Sequence, residues 1–398
     1  MPLPKICVLC AIPGLGGAEF SLLETVRHLR GSYEFHLIVP AEGPLSRSAE
    51  AAGAKVWILP WPNALSRTGE TARRPSPAKI VRAAACLLPF TRQFSQLLEK
   101  IGPAAIITNA VKAHLIGALA RKPKHVPLIW YMRDGLEDRF VSRTLLALMS
   151  RRCDVALCIS EYVAAQFREH ISQKVPSQVI YNIVDLERFH PGAAPAPDLP
   201  KKPEEVWFGM AGAITPLKGQ DVFLRAAERV AAELPNAAFL IAGSNPYHTE
   251  AGLRYEEQLR RELPSSLAGR VRFVGFRHDM PGVLSRLDVL VQPNRGPEGL
   301  GRSVLEAMAC AVPVVAVDRW GPAELVQHGE TGLLFPPLDA ETLAAHMLTL
   351  GKDPSLRTVM GKFGHEWIHT NLISNKLAGE LDGLLTRTIA CQLQEAAA

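Results

Sequence analysis

The densest run of chemistry-bearing residues in this 398-residue chain is Pro293-Asn-Arg-Gly-Pro-Glu298-Gly-Leu-Gly301-Arg-Ser-Val-Leu-Glu306. It holds two glutamates separated by seven residues, with two glycines after the first. Gly299 and Gly301 predict a bare backbone turn leading into a helix from about Arg302. Glu298 then sits in the loop at a helix N-terminus, and Glu306 a turn or so inside. A carboxylate can accept two hydrogen bonds side by side, which suits the vicinal hydroxyls of a sugar or ribose. Backbone N–H groups between the two acids, at a helix N-terminus, suit a phosphate. One ligand made of sugar, phosphate and ribose would use all three. As bare spacing, two acids seven residues apart also occur by chance.

Other loops carry weaker signals. Gly212-Ala-Ile-Thr-Pro-Leu-Lys218-Gly219 follows an apolar strand, and Lys218 stands just before a helix, where an anion is favoured. The order of residues is not that of a P-loop, which needs G-x-x-x-x-G-K-[ST]. At the first strand exit, Pro13-Gly14-Leu15-Gly16-Gly17-Ala18-Glu19 lets backbone approach a ligand, but the third glycine of a dinucleotide fingerprint is missing, and so is the acid at the end of the next strand. An NAD site is therefore disfavoured. Glu19 is an ordinary first-turn helix acid or a group facing the site. Arg133 and Asp134 follow the strand at Trp130 and emerge at its edge. The arginine can fork onto phosphate oxygens, and the aspartate can hold a hydroxyl or a developing positive charge. A salt-bridged loop is the plain alternative. Asn109 caps the next helix or faces the site, and His114 lies within that helix beside Leu115 and Ile116, where packing is the alternative to chemistry.

These residues need scaffolding, and the hydrophobic pattern supplies it. Strand-like apolar runs at 6–11, 34–39, 55–59, 104–108, 127–130, 154–159 and 178–181 alternate with helical patterns near 17–30, 45–52, 78–100, 111–122, 137–150 and 160–170. The rhythm returns with strands at 206–211, 238–242, 272–274, 289–291 and 314–317, between helices at 219–234, 250–263, 281–286, 302–310, 322–327 and 340–350. The tail, 355–394, reads as one or two helices. Alternating strands and helices imply parallel sheets covered on both faces, so the expected class is α/β, with two doubly wound Rossmann-like domains facing a central cleft. The break between them is expected at 191–203, where prolines crowd too densely for regular structure.

Composition narrows the class. The chain is 47% hydrophobic and 21% charged, which excludes disorder, and no run of about 18 apolar residues is present to span a membrane. Lys5 before the apolar run 6–12 faintly imitates a signal peptide, but Pro13 and Gly14 interrupt it and a buried strand fits better. Seven cysteines are too sparse for a disulfide scaffold. Cys7 and Cys10 lie within one strand, on opposite faces, and read as core. The expectation is a cytoplasmic protein. Residues 1–190 hold 24 Lys and Arg against 15 Asp and Glu, a net of +9, while the remainder nets −4. The densest basic stretch runs through Arg67, Arg73, Arg74, Lys79, Arg82 and Arg92, with Leu87 to Phe90 inside it. It reads as a solvated loop and helix, or as a surface for an anionic partner such as a lipid headgroup or phosphate. No aromatic-studded basic stripe points to nucleic acid.

Taken in order, Glu298–Ala309, Ala311-Val-Pro-Val-Val-Ala316, Gly321-Pro-Ala-Glu324 and Gly329-Glu-Thr-Gly-Leu-Leu334 resemble the retaining nucleotide-sugar glycosyltransferases of family 4, which have the GT-B fold. Gly16-Gly17-Ala18-Glu19, the strand Asp154–Ser160, Ile180-Tyr-Asn182-Ile-Val-Asp185 and Lys218-Gly219 extend the likeness over the whole length. The resemblance implies that Glu298 meets the donor sugar and Glu306 the ribose. It implies that Lys218 and the backbone at Leu300 and Gly301 meet the diphosphate, and that the Gly16-Gly17 loop closes over the donor. Arg133 and Asp134 join Glu298 as the residues expected to carry catalysis, with Glu19, Asn109 and His114 as acceptor-side candidates. No metal or cofactor is implied; the nucleotide sugar is a substrate. On this likeness, residues 1–190 bind the acceptor, 204–354 bind the nucleotide sugar, and 355–398 cross back to the first domain. The acceptor is expected to be a glycan or lipid-linked precursor, with peripheral contact at the inner face of an anionic membrane. A non-catalytic protein, an epimerase or a phosphorylase on the same fold are the alternatives. Three departures stand out. The family's arginine five residues before the lysine is Ala213, for which Arg302 is the candidate replacement. A histidine after the Trp130 strand is replaced by Arg133-Asp134, and the usual Asn-Gly is Asn182-Ile183.

Overall fold

The fold is that of a computed structural model, which describes residues 2–66, 77–137, 140–245 and 250–397. The chain forms two compact units, Met1–Ile183 with Asn375–Ala398, and Val184–Ser374.

The first unit is built on seven parallel strands: β1 (Lys5–Leu9), β2 (Glu34–Val39), β3 (Lys55–Ile58), β4 (Ala105–Thr108), β5 (Leu128–Met132), β6 (Val155–Cys158) and β7 (Ser177–Val179). Their order is β3-β2-β1-β4-β5-β6-β7. Helices cover both faces, so the central strands must be apolar throughout, and β4, β5 and β6 are buried along their whole length. Leu9 lies opposite both Ile38 and Thr108, which puts the reversal of strand order between β1 and β4. In an open α/β sheet, ligands bind beyond the carboxyl ends of the strands at such a reversal.

The second unit repeats the plan with β8 (Val206–Ala211), β9 (Ala237–Ala242), β10 (Val271–Gly275), β11 (Val289–Gln292), β12 (Val314–Val317) and β13 (Gly332–Phe335), all parallel, in the order β10-β9-β8-β11-β12-β13. Here the reversal lies between β8 and β11. Both sheets are doubly wound, as the alternating pattern predicts. One strand escaped the sequence reading: β13 has only four residues and follows the turn at Gly329, yet it completes the sheet by pairing Gly332 with Val314. The short helix Asn63–Ser66 was not anticipated either.

The proline-rich segment 191–203 packs on the second unit. Ala196 N–H donates to Gly282 O at 2.9 Å, its own carbonyl accepts from Arg286, and Leu199 is buried. The division falls instead at Ile183 and again at Ser374. The helix Pro354–Asn371 therefore stays with the second unit, where His365 Nδ1 lies 2.8 Å from Ala309 O. The last helix, Ser374–Ala397, joins the first from Asn375 onward, where Tyr33 donates its hydroxyl to Asp382 O at 3.3 Å.

Cys7, Cys10, Cys86, Cys153, Cys158 and Cys310 are free thiols. Cys7 and Cys10 are fully buried, and burial pushes the Cys7 thiol up to about 12. Of the basic stretch in the first half, Arg67, Arg73 and Arg74 lie outside the described residues, as do the side chains of Lys79 and Arg82. Phe90 from that stretch is core, packed on Trp61 with ring centres 5.3 Å apart. Among the described residues no helix is long and apolar enough to cross a membrane.

Candidate functional site

The two loops at the reversal of the second sheet carry its charged residues. After β8 the chain runs through a tight turn, Pro216–Lys218, into the helix Gln220–Glu233. After β11 it runs through 293–301 into the helix Arg302–Ala309. The loops are clasped together. Gly219 has φ of 78°, and a Cβ there would lie 1.9 Å from the Pro293 carbonyl oxygen, so only glycine fits. Arg295 and Gly296 donate their N–H groups to Leu217 O at 3.0 and 3.2 Å. Gln220, fully buried, donates Nε2 to Ala213 O at 2.9 Å and fixes the start of the turn.

This clasp sets Lys218 against Glu298: the ammonium donates to Glu298 Oε2. Asn294 Nδ2 donates to the same oxygen at 3.0 Å. Asn294 is itself oriented. Its Oδ1 accepts from Gln292 Nε2 at 2.7 Å, and Gln292 Oε1 accepts from Ser303 Oγ at 2.9 Å. Both amides are buried, so each fixes the flip of the next. Sequence reasoning passed over Asn294 and Gln292, because an amide carries no signal until its partners are known.

One turn into the following helix, Arg302 Nε donates to Glu306 Oε1 at 2.6 Å, with both side chains nearly buried. The expectation set Arg302 on a phosphate in place of the arginine lost at Ala213; the structure sets its Nε on Glu306. Leu300 is buried, and Gly301 begins the helix with φ of 97°. Gly321 N–H holds the Glu298 carbonyl at 3.0 Å, directly after Trp320, whose φ of 61° is strained for a bulky residue. Four opposite charges thus form two pairs beside a helix N-terminus. After β10, Arg277 is bound by both Asp198 and Asp279, while Phe276 is exposed beside His278.

At the carboxyl edge of the first sheet a second cluster forms. Gly16 precedes the helix Gly17–Leu29, and its N–H donates to Glu19 Oε2 at 3.1 Å. Burial raises the Glu19 carboxyl above its usual range, against the pull of Arg133 and of backbone N–H groups. Asn109, after β4, accepts from Arg133 Nε at 2.5 Å. Asn182, after β7, accepts from Arg133 Nη1 at 3.1 Å and from Ser21 Oγ at 2.6 Å. The guanidinium also lies over the Tyr131 ring at 3.7 Å. Arg133 is buried and Asp134 exposed, so these neighbours part company. Among the described residues, the contacts of the Arg133 guanidinium go to two amides and a ring rather than to a carboxylate. Its Nη2 and Asn109 Nδ2 are buried donors with no acceptor among the described residues.

His114 departs from the acceptor-side expectation. It is buried, its Nδ1 is 2.7 Å from Thr108 Oγ1, and its ring stacks on Trp130 at 5.4 Å. Burial pulls its pKa down to about 3, so it is neutral near pH 7 and serves the core. Among the described residues no group of three metal-ligating side chains occurs.

Comparison with known proteins follows the same division. A model for Glycosyltransferase Family 4 matches residues 15–188, and one for Glycosyl transferases group 1 matches residues 205–353. The lipopolysaccharide core biosynthesis mannosyltransferase LpsB of Rhizobium meliloti is 33% identical over 287 residues, covering 65% of this chain and 79% of that protein. The GDP-mannose-dependent monoacylated alpha-(1-6)-phosphatidylinositol monomannoside mannosyltransferase of Corynebacterium glutamicum is 32% identical over 250 residues. That match covers 59% of this chain and 61% of the relative's length, under two thirds. Among solved structures, Anabaena Alr3699/HepE in complex with UDP-glucose matches with a TM-score of 0.80 at 21% identity, over 96% of this chain and 100% of that one.

Proposed function

The chain belongs to glycosyltransferase family 4, and from that premise we propose that it moves a sugar from a nucleoside-diphosphate donor to an acceptor hydroxyl with retention of configuration. The observation that carries this reading is the convergence of Lys218, Glu298 and Glu306 at one sheet reversal, beside a helix N-terminus. Glu298 accepts from the donor sugar's hydroxyls and Glu306 from those of the ribose. Lys218 and the backbone at Leu300 and Gly301 meet the diphosphate. The bond from the sugar carbon to the diphosphate oxygen breaks as the acceptor oxygen bonds to that carbon on the same face. The acceptor's proton passes to the departing phosphate. Lys218 and the helix N-terminus stabilise the charge that develops on it. No step calls on a metal, so a chelator is expected to leave the rate unchanged.

The relative from Corynebacterium is named for GDP-mannose and a phosphatidylinositol mannoside, and that from Rhizobium for lipopolysaccharide core. GDP-mannose is accordingly the proposed donor, and a lipid-linked glycan the proposed acceptor class. Arg133 and Asn109 offer their remaining donors to an anionic or hydroxyl-rich acceptor group, beside Asp134. The test is a metal-free panel of GDP-, UDP- and ADP-sugars led by GDP-mannose, followed by thermal shift and nucleotide release, with Glu306→Ala as control. One donor that both stabilises and turns over, with both effects lost in the variant, is expected. Indifference to every donor would overturn the reading.

A further inference from the structure

The helix Phe140–Met149 begins just beyond Arg133, at the carboxyl edge of the first sheet, and packs along the helix Val111–Leu119. Its inward residue, Leu146, is fully buried. The opposite face is apolar and uncovered: Phe140 is 72% exposed, Val141 65%, Leu145 43% and Leu148 65%. At 100° per residue these four and Thr144 fall within an arc of about 140°. Thr144 adds no polarity to it, because its hydroxyl donates to Phe140 O at 3.0 Å. Single exposed apolar residues are ordinary, but a contiguous strip over two turns marks a contact surface.

The charge around the strip indicates what the surface meets. Arg151 and Arg152 follow the helix directly and are exposed. Arg121 and Lys124, also exposed, follow the neighbouring helix, and Arg152 Nη2 reaches Ala120 O at 3.4 Å, which joins the two ends. Leu119, 44% exposed, extends the apolar surface between them. Asp134 and Glu137 precede the helix at its other end, and Asp154, at the cationic end, is paired with Lys122 at 3.6 Å. An apolar helical face flanked by cations is the pattern that lies in the plane of an anionic bilayer, apolar side down.

We propose that the outward face of Phe140–Met149, with Arg121, Lys124, Arg151 and Arg152, seats the protein on a lipid bilayer carrying anionic headgroups. The proposal rests on the reading that the acceptor is lipid-linked, and it sets the strip running down from the sheet edge that holds Arg133.

The test is flotation of the full chain with vesicles of phosphatidylcholine alone or mixed with phosphatidylglycerol, at low and high salt. The wild-type chain is expected to prefer the mixed vesicles and to lose that preference in salt. Phe140→Ser with Leu148→Ser should lower partition at least about tenfold. Lys124→Glu with Arg151→Glu should abolish the preference for anionic lipid. All four positions are exposed, so the variants should unfold thermally like the wild type. Absence of wild-type binding, or equal binding by all three proteins, would overturn the proposal. So would a dimer that the serine variant dissolves while vesicle binding stays unchanged, since the strip would then join two copies of the chain. The vesicle assay uses no donor, so its failure is separable from failure of the transfer reading, which nucleotide release reports.

Discussion

The Lys218 ammonium donates to the Glu298 oxygen that also accepts Asn294 Nδ2, so a cation and a carboxylate assigned to different parts of one donor are bound to each other. On the proposed function, donor binding is an exchange of partners. The ammonium leaves for the diphosphate, and the carboxylate turns to sugar hydroxyls. Separating a half-buried pair opposes binding unless the ligand replaces both halves, which a full nucleotide sugar does and a bare nucleoside diphosphate does not.

Glu298→Gln removes the competitor for Lys218. A nucleoside diphosphate without sugar should then bind about fivefold tighter, the equivalent of ~1 kcal/mol for a partly exposed ion pair. Sugar transfer should fall about 100-fold or more. Calorimetry with GDP beside nucleotide release from GDP-mannose separates the two effects. An unchanged GDP affinity would mean that the pair does not compete.

Once Lys218 has moved, Asn294 is the group still holding Glu298. Asn294→Ala should leave GDP affinity near that of the wild type while lowering kcat about tenfold, as expected for a lost bond to a charged group. Asn294→Asp would place a second carboxylate against Glu298, and like charges raise the pKa of such a pair. Its rate profile should gain an acid limb displaced toward neutrality. Matching profiles for both variants would argue against an orienting role.

On the proposed function, Arg302 acts through Glu306 on the nucleoside rather than on the phosphates. Arg302→Ala should weaken GDP binding about tenfold by freeing the Glu306 carboxylate, yet leave inorganic pyrophosphate binding unchanged. Weakened pyrophosphate binding would return Arg302 to the phosphate role that Ala213 vacated.

His114 makes stability depend on acid. Its folded pKa, about 3, lies below the ordinary 6.5, so between those values the unfolded chain holds the extra proton. Stability from this group is complete above about pH 6.5 and declines by up to ~1.4 kcal/mol per pH unit as pH falls below it. His114→Gln keeps a partner for the Thr108 hydroxyl but takes up no proton. Urea unfolding at about pH 7.5 and about pH 5.5 should show a smaller loss in the variant. Equal losses in both proteins would refute this account.

The strands were legible because burial on both faces forces unbroken apolar runs, and β4, β5 and β6 consist of little else. β13 was missed because four residues after a glycine turn carry no period, and only its place beside β12 defines it. Lys218, Glu298 and Glu306 could be named from type and spacing. Their partners could not. Asn294 and Asn182 owe their importance to neighbours brought from other loops, and Arg133 parted from Asp134 because one turned inward and the other outward. Which helix face stays uncovered depends on the packing of its neighbours, so the strip at Phe140 was also beyond the sequence.

Gly219 gives the site a mutational signature. With the Pro293 carbonyl where its Cβ would stand, position 219 is closed to every other residue, although its own atoms do no chemistry. An alanine there must push the β11 loop away from the β8 loop, widening the distance between ammonium and carboxylate while both sheets remain intact. Such a variant would be a folded protein with an uncoupled site. Lys218 and Glu298, carried on separate loops, are thus held as one unit through a residue that has no side chain.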